Sequence, residues 1–198
     1  RGHQEALTYY MEQKQKGIIK AIGVSTHFSQ LVDAVCDREE IDVIHPIFIE
    51  KGVGIADGTQ EDMEKYVKQA YKKDIGIFVM KPLGGGSLIP SYERSLAYVK
   101  NYPYIHSVAI GMQSTEEIDR NIAFFRDEPV TNDILDKLAL HQRKLHIEFW
   151  CCKCKKCIER CGQKALSFQN DAIQVDAEKC VLCGYCVSVC TEFAIKIF

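Results

Sequence analysis

No apolar run in the 198 residues approaches the length needed to cross a bilayer, and no stretch reads as a signal peptide. Neither sign of charge dominates. The balance of 25 Lys and Arg against 27 Asp and Glu leaves a formal net charge of -2, which argues against a general nucleic-acid binder. Neither a membrane span nor a nucleic-acid partner is therefore expected. The first residue is Arg1, not Met, and a helical pattern is already under way there, so the start reads as cut. A content of 46% hydrophobic and 26% charged residues is ordinary for a soluble globular protein. The length leaves room for one medium domain and one small one.

Cysteine is what the chain has in quantity. Cys151, Cys154, Cys157 and Cys161 follow C-x2-C-x2-C-x3-C, and Cys180, Cys183, Cys186 and Cys190 repeat it at an offset of about 29 residues. Three thiolates two residues apart lie along one tight loop and grip three irons of a cube from one side. The fourth iron needs a ligand from elsewhere. This is the spacing by which a chain wraps two [4Fe-4S] cubanes. Structural zinc prefers cysteine pairs with a longer spacer, and a disulfide framework needs an oxidising compartment. Oxygen-sensitive clusters in an untargeted chain point instead to a reducing cytoplasm. Two cysteines are left over. Cys36 reads as a packed small hydrophobe, and Cys152, beside a ligand, is able to replace one but reads first as a bystander.

The repeat continues past the cysteines, with Ala165, Leu166 and Phe168 answering to Ala194, Ile195 and Ile197. Residues 165–168 and 173–175 flank Gln169-Asn170-Asp171-Ala172 as a short hairpin. Residues 151–198 resemble the bacterial two-cluster ferredoxins. That resemblance implies crossed ligation, in which the fourth Cys of each run serves the other cluster. One cluster then takes Cys151, Cys154, Cys157 and Cys190, and the other Cys180, Cys183, Cys186 and Cys161. Where those proteins carry Pro after the fourth Cys, this chain has Gly162 and Thr191. Proline is no ligand, so the change bears on backbone shape and potential.

Before residue 150, periodicity predicts helices and apolar strands in alternation. A helix over 3–16 puts Leu7, Tyr10 and Met11 on one face and stops at Gly17. Strands follow over 18–25, 41–49, 75–81 and 105–111. Between them lie a helix capped by Ser29, one opened by Thr59, and one over 92–101. Ser114 and Glu117 form a capping box for a helix reaching Phe125. A last helix over 132–150 carries Ile134, Leu138, Leu145 and Phe149 on one stripe and delivers the chain to Cys151. Apolar strands alternating with amphipathic helices mean an α/β fold with a parallel sheet. About four such units make half of a (β/α)8 barrel, followed by a small α+β ferredoxin-like domain. The expected division is 1–130, a bridging helix over 131–150, and 151–198.

Three phrases in the first part resemble the second half of an aldo-keto reductase barrel. They are Gly17-Ile18-Ile19-Lys20-Ala21-Ile22-Gly23-Val24-Ser25-Thr26-His27, then Met80-Lys81-Pro82-Leu83-Gly84-Gly85-Gly86, and Gly111-Met112-Gln113-Ser114 with Asn121. The resemblance implies a nicotinamide cofactor across the strand ends. Ser25 would hold its amide, with Thr26, His27 and His45 beside it. Residues Lys81, Leu83 and Gly84 would pass under the pyrophosphate, where glycine permits close approach. Gly111, Met112 and Gln113 would belong to the same cofactor site, the helix starting at Ser114 would offer free N–H groups to an adenosine phosphate, and Asn121 would face the adenine. Many relatives place Arg where this chain has Glu117, and a carboxylate repels a 2'-phosphate, so NADP and NAD both stay open. Plain readings stand beside these: Ser25 ends a strand, the glycines form a loop, and the histidines serve packing.

The family's proton-donating Tyr and its Asp, Lys and His partners come from the earlier strands, which the 198 residues do not include. A half barrel also exposes two sheet edges, which soluble proteins avoid. The other half is expected either in the same polypeptide or from another chain. Clusters move single electrons and a nicotinamide moves a hydride; a flavin as converter stays open, although no flavin site is evident. Lys153, Lys155, Lys156, Arg160 and Lys164 outweigh Glu159 around the first run. They suit either an acidic redox partner, a ferredoxin or flavoprotein, or simple solvation. The sequence thus supports an iron-sulfur oxidoreductase of aldo-keto reductase type, or a non-catalytic electron-transfer subunit that uses the partial barrel as a platform.

Overall fold

A computed structural model describes residues 4–52, 54–86, 88–140 and 144–197. Arg1 and His3, at the start of the expected first helix, lie outside them. The chain packs as two compact units. The first comprises Arg1–Gly84 and Ser91–Gly111; the second comprises Gly85–Pro90 and Met112–Phe198.

In the first unit, helix α1 (Gln4–Gln15) precedes strand β1 (Gly23–Thr26) and helix α2 (Ser29–Val35). Then come β2 (Val43–Pro46), α3 (Gln60–Lys72), β3 (Gly76–Met80), α4 (Tyr92–Lys100) and β4 (Ser107–Ala109). The strands form one parallel sheet in the order β1-β2-β3-β4, with Ser25 opposite His45 and Ile44 opposite Ile77. Strand β2 ends at Pro46, which has no amide hydrogen to extend the ladder.

The two faces of the sheet differ. Ile44, Ile77 and Val79 are buried, whereas Ser25 and Phe78 on the alternate face are exposed. Helix α3 packs Met63, Val67 and Ala70 into the core. Burying side chains such as Met63 and Val67 contributes about 1.5–3 kcal/mol each. Thr59 and Asp62 close a reciprocal capping box at its start.

Two local expectations need correction here. The N-cap position of α2 is Phe28, and Ser29 is not its cap. The carboxylate of Asp57 accepts hydrogen bonds from the Ser29 and Gln30 amides instead. A side chain far along the chain thus does what a local Ser was expected to do. The Tyr10 and Met11 face of α1 is exposed, at 51% and 38%, and α1 buries none of its residues. Its anchor is polar: Lys14 donates to Asp42, which also accepts from the Ile22 amide at 2.8 Å.

The second unit contains α5 (Thr115–Phe125), α6 (Asn132–Leu140), β5 (Leu145–Ile147) and α7 (Lys156–Arg160). It ends with β6 (Leu166–Gln169), β7 (Ala172–Val175) and β8 (Ile195–Ile197). The expected helix over 132–150 is found over Asn132–Leu140; residues 141–143 lie outside the described set, and Leu145–Ile147 is a strand, which corrects the expectation there. That strand pairs antiparallel with β8, and its alternating Leu145 and Ile147 pack on a core of Cys157, Leu166, Ile173, Cys186 and Ile195. Tertiary pairing overrides the helical stripe. The hairpin is tighter than expected, because Gln169 and Ala172 pair with each other and leave Asn170 and Asp171 as a two-residue turn. Both have positive φ, 51° and 57°, as a type I' turn requires.

Candidate functional site

The duplication read from the cysteines extends into the backbone. Lys153 and Leu182, Lys155 and Gly184, and Lys164 and Phe193 are three matched pairs with φ between 49° and 76°. Hydrogen bonds repeat in the same register. Ile158 N donates to Lys155 O at 2.9 Å, as Val187 N does to Gly184 O; Cys161 N donates to Ile158 O at 3.1 Å, as Cys190 N does to Val187 O. Left-handed conformations cost non-glycine residues roughly 1–2 kcal/mol each. They also turn successive amide hydrogens inward, which creates a concavity suited to an anion. Iron-sulfur clusters ligated by four thiolates are such anions.

Two cavities lie in this unit. Cys151, Cys154, Cys157 and Cys190 line one, together with Cys152, Ile147, Ile173 and Ile195. Cys161, Cys180, Cys183 and Cys186 line the other, with Leu145, Leu166 and Val181. Each cavity is bordered by three cysteines of one run and the last cysteine of the other. Among the described residues, no group of three or more His, Cys, Asp or Glu side chains has the spacing to hold a single metal ion. Four thiols bordering an apolar-walled cavity are the ligand set that a cubane takes.

The two last cysteines share one further feature. Ala165 N donates to Cys161 Sγ and Ala194 N to Cys190 Sγ, both at 3.3 Å. Hydrogen bonds to ligating sulfur are among the factors that set a cluster's potential. Burial pushes the Cys157 thiol up, and pushes Cys186 up to about 11. Uptake of a cluster must therefore release protons from these groups. At Cys154 the Lys156 amide, hydrogen-bonded to the sulfur, lowers the thiol instead.

The two sites differ in cover. Cys154 is exposed, whereas its counterpart Cys183 is half-buried. The turn at Gly85 and Gly86 lies against the loop that carries Cys183. A Cβ on Gly85 would touch Cys183 Cβ at 3.5 Å and the Tyr185 ring at 3.6 Å, and one on Gly86 would lie 2.4 Å from the Val181 carbonyl oxygen. Three of the five basic residues near the first run already have partners: Lys153 pairs with Asp171, Lys155 lies 4.1 Å from the Phe168 ring centroid, and Arg160 lies 5.2 Å from that of Tyr185.

Residues 173–196 match the family described as 4Fe-4S binding domain. This part of the chain is an iron-sulfur segment. A stretch of 50 residues, 25% of the chain, is 38% identical to one subunit of the ion-translocating oxidoreductase complex of Methanosarcina acetivorans. The match spans 19% of that protein's length. The family match supports binding of a [4Fe-4S] cluster in this segment. Among the described residues, no helix is long and apolar enough to cross a membrane.

The residues proposed for a nicotinamide fall into two groups. In the first unit, Ser25 is exposed and stands opposite His45. The His45 ring stacks on Phe78 with centroids 3.9 Å apart, and its Nδ1 lies 2.7 Å from the Phe78 carbonyl oxygen. Thr26 is buried and accepts from the Phe28 amide at 2.9 Å, a turn-forming bond. His27 Nδ1 lies 3.0 Å from the Gly54 carbonyl oxygen. Burial, and after it the charge of Lys81, lowers the His27 imidazole. Lys81 has φ 59°, Leu83 is half-buried, and Gly84 donates its amide to the Lys81 carbonyl at 2.8 Å. Gly111 closes the first unit and is exposed.

Met112, Gln113 and Asn121 belong to the second unit, where Met112 is exposed and Asn121 is buried within α5. Ser114 accepts from the Glu117 amide at 3.3 Å, and the Glu117 carboxylate accepts from the Gln113 amide at 2.7 Å. The Glu117 amide, within the helix start expected to meet an adenosine phosphate, thus already serves the helix's own cap. Sequence reasoning missed Phe78, the Ala165 and Ala194 amides, and the turn over Val181. Only the alanines left a signal, since they occupy matching places in the repeat.

Proposed function

We propose that the chain is an iron-sulfur electron-transfer oxidoreductase of aldo-keto reductase type. Residues 151–198 hold two [4Fe-4S] clusters, 1–130 form the cofactor half of a barrel, and 131–150 link them. The reading is carried by the two cavities, each bordered by three cysteines of one run and the fourth of the other. When bound, the clusters supply one-electron transfer. The chain's residues hold them in separate apolar surroundings, direct the Ala165 and Ala194 amides at Cys161 and Cys190, and leave the Cys154 corner open to solvent.

The barrel reading is supported by the consecutive parallel order of the four strands and by the face carrying Ser25, His45 and Phe78, which suits a barrel interior. Edges β1 and β4 would meet the complementary half, in the same polypeptide or from another chain. Ser25, Thr26, His27, His45, Lys81, Leu83, Gly84 and Gly111 of the first unit would then serve a nicotinamide cofactor. NADP, NAD and an intervening flavin remain alternatives within this reading, in a reducing cytoplasm.

The second reading is an electron-transfer subunit that uses the first unit as a platform within a redox complex. The cap at α5, where Ser114 engages the Glu117 amide otherwise offered to a phosphate, favours it. So does the resemblance to a subunit of an ion-translocating oxidoreductase complex. Calorimetric titration of the anaerobically purified protein with NADH and NADPH separates the two. Saturable binding of either supports the reductase, and binding of neither leaves the platform.

A further inference from the structure

The first cavity is bordered by five thiols and the second by four. The fifth is Cys152, whose counterpart in the second run is Val181. The two positions have different surroundings. The Val181 carbonyl faces the turn at Gly86, whereas Cys152 is exposed beside the exposed Cys154. Lys153 between them has φ 56°, and Cys152 and Cys154 border the same cavity. Two thiols therefore stand together at the solvent-facing corner of one site, where a cubane needs one.

We propose that Cys152 is a reserve ligand for the iron held by Cys154 in the first cluster. In the exchange, the Fe–S bond to Cys154 breaks and one to Cys152 forms. The Cys152 proton passes to the departing Cys154 thiolate, so charge and electron count are unchanged. The first site then survives alkylation or oxidation of its most accessible ligand. The second site has no such device, because its equivalent position bears an isopropyl group and its ligand Cys183 is partly covered. The inference rests on the two-cluster reading and adds a ligand to it.

The duplicated site supplies its own control. Wild type, Cys154→Ala, Cys183→Ala, Cys152→Ala/Cys154→Ala and Val181→Cys/Cys183→Ala are purified anaerobically and assayed for iron, sulfide and EPR signals. Cys154→Ala should keep the wild-type iron content, while Cys183→Ala and Cys152→Ala/Cys154→Ala lose at least about one iron per chain. Iodoacetamide followed by peptide mapping should label Cys152 in the wild type and spare it in Cys154→Ala, where iron holds it.

Equal iron loss in Cys154→Ala and Cys183→Ala, or continued labelling of Cys152 in Cys154→Ala, overturns the proposal. Should Cys154→Ala fail to fold, Val181→Cys/Cys183→Ala decides: recovery of iron relative to Cys183→Ala supports a thiol at this position as a ligand, and no recovery refutes it. A wild type lacking iron and sulfide sinks the underlying two-cluster reading instead.

Discussion

Gly86→Ala tests whether the turn at 85–86 covers the second cluster loop. The added methyl carbon would lie 2.4 Å from the Val181 carbonyl oxygen, whereas ordinary contact begins at 3.4 Å. The obstacle is backbone, which cannot swing aside as a long side chain does. Gly86 also has φ 106°, a conformation that L residues rarely adopt. The conformational term costs about 1–2 kcal/mol and relief of the overlap about 1–3 kcal/mol, which predicts a loss of about 2–5 kcal/mol. Gly85→Ala supplies the comparison within the same turn. Its φ is 64°, but its Cβ would meet neighbours only at 3.5 Å and beyond, so about 1–2 kcal/mol is expected. Anaerobic guanidinium titrations that follow the visible absorbance of the clusters read the difference. Gly86→Ala should release iron at distinctly lower denaturant than Gly85→Ala. Equal midpoints would refute the close approach of the turn to Val181.

Two further outcomes follow from side chains. Cys161→Ala should expose Cys180, Cys183 and Cys186 to alkylation, and Cys190→Ala should expose Cys151, Cys154 and Cys157; release of each run's own thiols instead would contradict the crossing. Asp42 is held below the usual carboxylate value first by Lys14 and then by the Ile22 amide. Because the folded value is the lower one, this stability is present above the unfolded value of about 3.9 and is lost as pH falls through the folded value. With both partners about a third exposed, Asp42→Asn should cost about 1 kcal/mol at neutral pH. Denaturant titrations should show the deficit vanishing in acid, and a deficit independent of pH would refute the assignment.

The cysteine repeat was legible because its pattern is local. Fixed spacing picks out the two runs of cysteines, and a repeat of sequence became a repeat of positive φ values and of amide-to-sulfur hydrogen bonds at Ala165 and Ala194. The four strands were legible from apolar runs and the α3 cap from Thr59 and Asp62. Long-range pairing was not. Leu145–Ile147 carries apolar residues that serve a helix stripe and a strand face equally well, and only β8, some fifty residues on, decides between them. Asp57 likewise acts at the start of α2 across an intervening strand, with no local signal to announce it. The turn over Val181 joins two stretches nearly a hundred residues apart, and a glycine run alone does not say what it approaches.

Iron and acid-labile sulfide analysis of the anaerobically purified protein, with Mössbauer spectroscopy on iron-57-enriched material, bears most directly on the pair of clusters. About eight irons and about eight sulfides per chain, in two equal sets of cubane signals, are predicted. Stoichiometric zinc without sulfide, or about four irons in a single cubane, would contradict it.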